Sequence, residues 1–179
     1  MESFLIQAAS REVVHLTDED ERAAFDVFDV RGDGNCLWYA VALDIAVDLR
    51  GREGAAKADQ AGQVEDLALE IRGRVANELQ DEEGGGLREP YSSFFAPGEE
   101  GTSATTNSKE YLSSLREGGI CAGEMELECL ARVLGVRVAV LNHTPPGITL
   151  RVFGSGSNVF FVRLENFHYT SLISKNLGA

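Results

Sequence analysis

Residues 36–49, CLWYAVALDIAVDL, are apolar on nearly every side of a helix, and such a segment must be enclosed by the rest of the chain. The stretch predicts one central, buried helix, with Asp44 and Asp48 marking its wetter edge. The chain has 179 residues and 44% hydrophobic content, enough apolar material to cover that helix in one domain spanning 1–179 and little for a second. No internal repeat interrupts this reading.

The flanking segments divide by periodicity. Thr17 followed by DEDE predicts the capped, charge-matched start of a short first helix. GREGAAKADQAG, residues 51–62, reads as a flexible connection, after which Val64, Leu67, Ala68, Ile71, Val75 and Leu79 define a second amphipathic helix. Residues 84–107 are rich in Gly, Ser, Thr and Pro and read as loops around an aromatic anchor, Tyr91, Phe94 and Phe95. Leu127, Leu130, Ala131 and Leu134 form one helix face that Gly135 terminates, and VRVAVLN follows as a strand. HTPPG and GSGSN separate ITLRVF from VFFVRLENFHYTSLI, so the C-terminal third predicts a three- or four-stranded meander. Helices first and a mostly antiparallel sheet last make the fold class α+β.

Charge and cysteine content narrow the function. Sixteen Lys and Arg stand against 29 Asp and Glu, and a formal charge of −13 without a basic cluster argues against nucleic acid and anionic membranes. A basic protein partner fits better. No stretch approaches the roughly 18–20 apolar residues of a membrane span, and MESFLIQAASREVV has neither the charged nor the apolar region of a secretory signal. Cys36, Cys121 and Cys129 form neither an even disulfide framework nor a metal-binding pattern, which predicts a reducing, cytoplasmic setting and no metal or cofactor.

Cys36 is the thiol with a special address. RGDGN places turn and cap residues ahead of it, so the thiol falls at the first turn of the buried helix, where free N–H groups and the positive dipole end favour thiolate. The glycines flanking Asp33 let several amides converge beside the sulfur as an oxyanion hole. A small buried hydrophobe fits the local sequence equally well. Cys121 and Cys129 follow no such turn and are assigned to packing. A catalytic cysteine needs a base, and the histidines are His15, His143 and His168. Of these, His168 lies within a predicted strand between Phe167 and Tyr169, where it is held most rigidly.

GDGNCLWYAV resembles the nucleophile motif of the ovarian-tumour (OTU) cysteine proteases, and FHYTSLI resembles their C-terminal histidine motif. Between them, GGICAGEMELECLARVLGVRVAV is similar to the family's acidic helix and central strand, with Glu126 at the usual glutamate position. The resemblance covers about residues 26–174 in these three blocks.

The resemblance implies a papain-type thiol protease acting as a deubiquitinase, which cleaves the bond after the C-terminal glycine of ubiquitin or a ubiquitin-like modifier. It makes Cys36 the nucleophile and His168 the general base and acid. The backbone amides of Asp33, Gly34, Asn35 and Cys36 become the oxyanion hole, with the Asp33 carboxylate bracing the loop. Its implied partners are ubiquitin and ubiquitinated proteins, met by a monomer in the cytosol, or in a host cell's cytosol for a viral or effector protein. The acidic surface would attract the basic ubiquitin tail, Leu-Arg-Leu-Arg-Gly-Gly. Relatives usually orient the imidazole with an Asp or Asn two residues after the histidine, where this chain has Thr170. In an extended strand residues 166, 168 and 170 share a face, so Asn166 and Thr170 are the candidate orienters. Asp26 and Asp29 remain possible, because some relatives use an acid upstream of the cysteine. Cys121 also departs from the family, which has an aromatic residue there. The alternatives are a catalytically silent ubiquitin-binding module and a viral polyprotein-processing protease of the same fold.

Overall fold

A computed structural model describes residues 14–81, 86–92, 108–145 and 147–175. Strand β1 (Val14–Leu16) leads into helix α1 (Asp18–Ala24) and strand β2 (Phe25–Phe28). Helices α2 (Cys36–Gln60), α3 (Gln63–Leu79), α4 (Ser108–Glu117) and α5 (Glu124–Leu134) follow, and then β3 (Arg137–Thr144), β4 (Gly147–Phe153), β5 (Val159–Glu165) and β6 (His168–Ser174). Thr17 caps α1 as expected: its hydroxyl accepts the Asp20 N–H at 3.2 Å, and the Asp20 carboxylate accepts the Thr17 N–H at 3.0 Å.

The sheet has six strands in the order β1-β4-β3-β5-β6-β2. Hairpins β3–β4 and β5–β6 are antiparallel, but β3 and β5 run parallel, so the C-terminal third is two hairpins laid side by side rather than a meander. The N-terminal strands complete the sheet from outside, with β1 on β4 and β2 on β6, both antiparallel. The α+β class, the mostly antiparallel pairing and four strands in the C-terminal third are as the pattern indicated, whereas their order is not. Strands of three and four residues inside a polar N-terminal segment carry too little alternation to be read alone.

Alternation along the strands splits the core in two. Val138 and Val140 on β3, Phe160 and Val162 on β5 and Tyr169 on β6 face α2, α3 and α5. Ala139, Leu141, Phe161 and Leu172 face the other way and join Ala24 and Phe25 in a smaller cluster. Each buried aliphatic or aromatic side chain contributes about 1.5–3 kcal/mol, so packing on both faces, more than strand propensity, holds the sheet. Leu37, Trp38 and Val41 are at most 1% exposed, as a central helix requires.

Two readings of α2 change. Asp48 is exposed, but Asp44 is buried and accepts a hydrogen bond from the Ser171 hydroxyl of β6. Burial raises its carboxyl well above the ordinary value and so favours the protonated acid, the Ser171 and Phe161 hydrogen bonds offsetting only part of this. Residues 51–62 are not a flexible connection: the helix bends at Gly51 (φ 68°) and continues to Gln60, because Ala55 and Ala58 reach the core. Tyr91 is buried beneath the Arg132 guanidinium, 5.3 Å from the ring centroid, whereas Phe94 and Phe95 lie outside the described residues.

Candidate active site

The turn before α2 is built by short-range hydrogen bonding. The Asp33 carboxylate accepts the Asn35 N–H at 3.0 Å, closing an Asx turn. Gly34 sits at φ +83°, and a Cβ there would lie 2.5 Å from the Gly119 Cα, so this position needs glycine for both conformation and room. The Asn35 carbonyl accepts the Tyr39 N–H at 3.0 Å, which starts α2 with Cys36 in its first turn. Because its own N–H is engaged by Asp33, Asn35 is not an open oxyanion donor in this arrangement, unlike the expectation for it.

The Cys36 sulfur is buried and accepts the Tyr169 N–H at 3.4 Å, a contact across 133 residues that joins α2 to β6. Burial raises the thiol above its ordinary value, while the amides of Tyr169, Leu37 and Cys36 itself pull it down. The helix-start amides therefore act as expected but are outweighed by desolvation. Such a thiol stays protonated at rest and needs a base to become a nucleophile.

His168 opens β6 rather than lying inside a continuous strand. Asn166 (φ 51°) and Phe167 (φ 62°) form the two-residue left-handed turn between β5 and β6, a conformation that suits Asn and is unusual for Phe. The extended face proposed for residues 166, 168 and 170 does not exist, since Asn166 is exposed in the turn. Thr170 is buried in β6 with no hydrogen-bond partner for its hydroxyl among the described residues. The imidazole is met instead by Asp29, whose Oδ1 lies 3.0 Å from Nε2. Strand register explains the meeting: β2 pairs Phe28 with Ser171, and one further residue sets Asp29 opposite Thr170, diagonally beside His168. A carboxylate only accepts, so in the neutral ring Nε2 carries the hydrogen and Nδ1 is left as the basic nitrogen. Asp26 is spent elsewhere, on Arg52 and on the Lys175 ammonium at 3.8 Å.

Beside Tyr169 opens a cleft of about 180 Å3, lined mainly by apolar side chains including Leu127, Val140, Leu164 and Phe167. Phe167 is 86% exposed at its mouth. Cys121 lines the same cleft and is exposed, so it is not a packing cysteine, whereas Cys129 is buried as expected. Among the described residues, no cluster of three or more His, Cys, Asp or Glu side chains is gathered as a metal ligand set.

No family model and no curated protein matches the sequence. Solved structures do. The viral OTU domain protease from Dera Ghazi Khan virus superposes with a TM-score of 0.60 at 17% identity, covering 93% of this chain and 88% of that one. The chain has the OTU fold. The Hazara virus OTU bound to ubiquitin gives a TM-score of 0.57 at 18% identity, covering 91% and 87% of the two chains. The h/ceOTUB1 structure with ubiquitin aldehyde gives 0.61 at 13% identity, with 88% and 80% covered.

On this OTU fold the remaining candidates fall into place. His143 is no rival base: its Nε2 lies 2.6 Å from Glu21 Oε2, a buried contact that also involves Arg163 at 3.3 Å and ties α1 to the sheet. Of His15 only the backbone is described, paired with Thr149. Glu126 is buried and caps α5, accepting the Gly123 N–H at 2.6 Å and the Tyr111 hydroxyl. One residue escaped the sequence reading altogether. Arg72, a charged residue on α3, is 7% exposed and reaches Asn35. No local pattern distinguishes a buried arginine from a solvated one.

Proposed function

We propose that the chain is a cysteine protease of the deubiquitinase type, hydrolysing the bond after the C-terminal glycine of ubiquitin or a ubiquitin-like modifier. The observation that carries this reading is the convergence of the start of β6 with Cys36 and Asp29, which lie more than 130 residues before it in sequence. Ubiquitin enters from the solved structures of the same fold that hold it or its aldehyde.

The chemistry follows from the side chains present. Asp29 holds His168 with Nδ1 bare, and Nδ1 takes the Cys36 proton as the sulfur attacks the glycine carbonyl. The oxyanion forms at the start of α2, where the amides of Cys36 and of the Asp33–Gly34 turn converge and the helix dipole is positive. His168 returns the proton to the leaving lysine amine, and a Cys36 thioester remains. Water, deprotonated by His168, then releases the modifier. The apolar cleft beside Tyr169 is the receiving groove for the modifier's extended tail.

Incubation with ubiquitin carrying a C-terminal electrophile, followed by intact-mass measurement and peptide mapping, tests the proposal. A single adduct on Cys36, absent in Cys36→Ala, is the expected result. Binding of ubiquitin without any adduct would convert the reading to a silent binding module, and adduct formation on Cys121 or Cys129 would displace the nucleophile.

A further inference from the structure

Asn35 stands at the N-cap of α2, where an asparagine ordinarily turns its side-chain oxygen onto the amides of the first turn. Here it makes no such bond. Its Oδ1 instead accepts from Nη1 of Arg72, which reaches across from α3. The same guanidinium donates through Nη2 to the Arg116 carbonyl at 2.6 Å, near the end of α4. Arg72 is 7% exposed, and burying a guanidinium costs several kcal/mol unless its hydrogen bonds are well made. Burial lowers its affinity for the proton, and the Asp33 carboxylate of the nucleophile turn partly restores it.

The surroundings are shaped to admit this arm. Gly118 (φ +97°) passes so close that a Cβ would lie 2.5 Å from Arg72 Nη1 and 3.2 Å from Asn35 Oδ1. The next residue, Gly119, is the backbone against which Gly34 is pressed. Arg72 thus sits at the junction of the nucleophile turn, the α4 terminus and the glycine pair that follows it.

We propose that Arg72 is a positioning residue for acyl transfer: by holding the Asn35 oxygen from α3 it fixes the Asp33–Gly34 turn, whose amides receive the oxyanion together with that of Cys36. Without the arginine, the Asn35 side chain is released and the turn loses its tie to α3 and to the end of α4. The inference rests on Cys36 being the acyl-transfer nucleophile.

Oxyanion donors commonly carry about 10²–10³ in kcat, and loss of their alignment should cost part of this. Arg72→Met should lower kcat for ubiquitin-substrate cleavage about tenfold or more, with KM changed less than about threefold. Affinity for ubiquitin aldehyde, whose adduct is tetrahedral, should fall in step with kcat. Alkylation of Cys36 by iodoacetamide, which builds no oxyanion, should change less than about threefold. In an Asn35→Ala background the Arg72→Met effect should vanish, because no side chain remains in the turn for the arginine to hold. If Arg72→Met does not fold, by circular dichroism, Arg72→Lys keeps the buried cation, loses the forked geometry and should show the same split to a smaller extent. Parallel loss of alkylation and cleavage, or an Arg72 effect undiminished by Asn35→Ala, would overturn the proposal. A wild-type protein that forms no ubiquitin aldehyde adduct would remove the deubiquitinase reading itself, and the inference with it. Wild-type adduct formation matched by Arg72→Met would remove the inference alone.

Discussion

His168 Nε2 is occupied by Asp29 at 3.0 Å, so the residues nearest to it in sequence have no hold on the ring. Asp29→Ala should therefore lower kcat/KM for ubiquitin-substrate cleavage by about tenfold to a hundredfold, less than for a buried triad acid because its side chain is 84% exposed. Asn166→Ala and Thr170→Ala should each stay within about threefold of wild type. Steady-state kinetics on folded variants decide this: full activity in Asp29→Ala with loss in Thr170→Ala would return the orienting role to β6. As candidates, Cys36 and His168 stand out in the sequence because their surroundings are local, a glycine-rich turn before an apolar helix and a histidine between aromatics. The choice among the candidate orienters Asn166, Thr170, Asp26 and Asp29 does not stand out. It depends on a left-handed turn at Asn166–Phe167 and on a strand pairing that joins residues 28 and 171, neither of which leaves a local mark.

Among the elements, α2 was the most readable and also hid the most. Its apolar faces announced a core helix, but a buried carboxylic acid looks in sequence like any carboxylate on a wet edge. Asp44 gives that distinction a measurable sign. Its folded-state value is raised above the ordinary 3.8, so the folded chain retains a proton that the unfolded chain has released. This contribution to stability is complete below the unfolded value and is lost as pH rises from there toward the raised one. Asp44→Asn has no such proton, so the stability of wild type relative to the variant should decline as pH rises above the ordinary carboxyl value, read from denaturant midpoints. A difference that grows with pH would refute the buried, protonated acid. A second element-scale expectation concerns α1. His143→Ala strips the buried Glu21 of one partner, which should cost about 1–3 kcal/mol of stability while leaving cleavage nearly intact. Loss of cleavage in a folded His143→Ala protein would contradict the assignment of that histidine to structure.

Across the whole molecule, the excess of acid gives an electrostatic prediction. A chain of formal charge −13 should meet the basic tail of ubiquitin faster at low ionic strength, because attraction between unscreened charges raises the encounter rate. Stopped-flow association rates should fall between about 20 and 150 mM salt while dissociation changes little. A flat association rate would leave the charge with no part in recognition. The α+β class was open to the sequence because periodicity survives in long segments. The parallel β3–β5 pairing and the two borrowed N-terminal strands were not, since they join regions that carry no mutual signature. One of those borrowed strands has a further consequence. β2 is four residues long, pairs among the described strands only with β6 and lies at the rim of their sheet, yet it leads directly to the acid that holds the imidazole. Rim strands open before interiors do, so local fraying can uncouple acid from base while the helices are still packed. Cleavage of a ubiquitin substrate should then disappear at a lower denaturant concentration than helical ellipticity does, so that the working limit of the proposed activity is the melting of one short strand rather than of the domain.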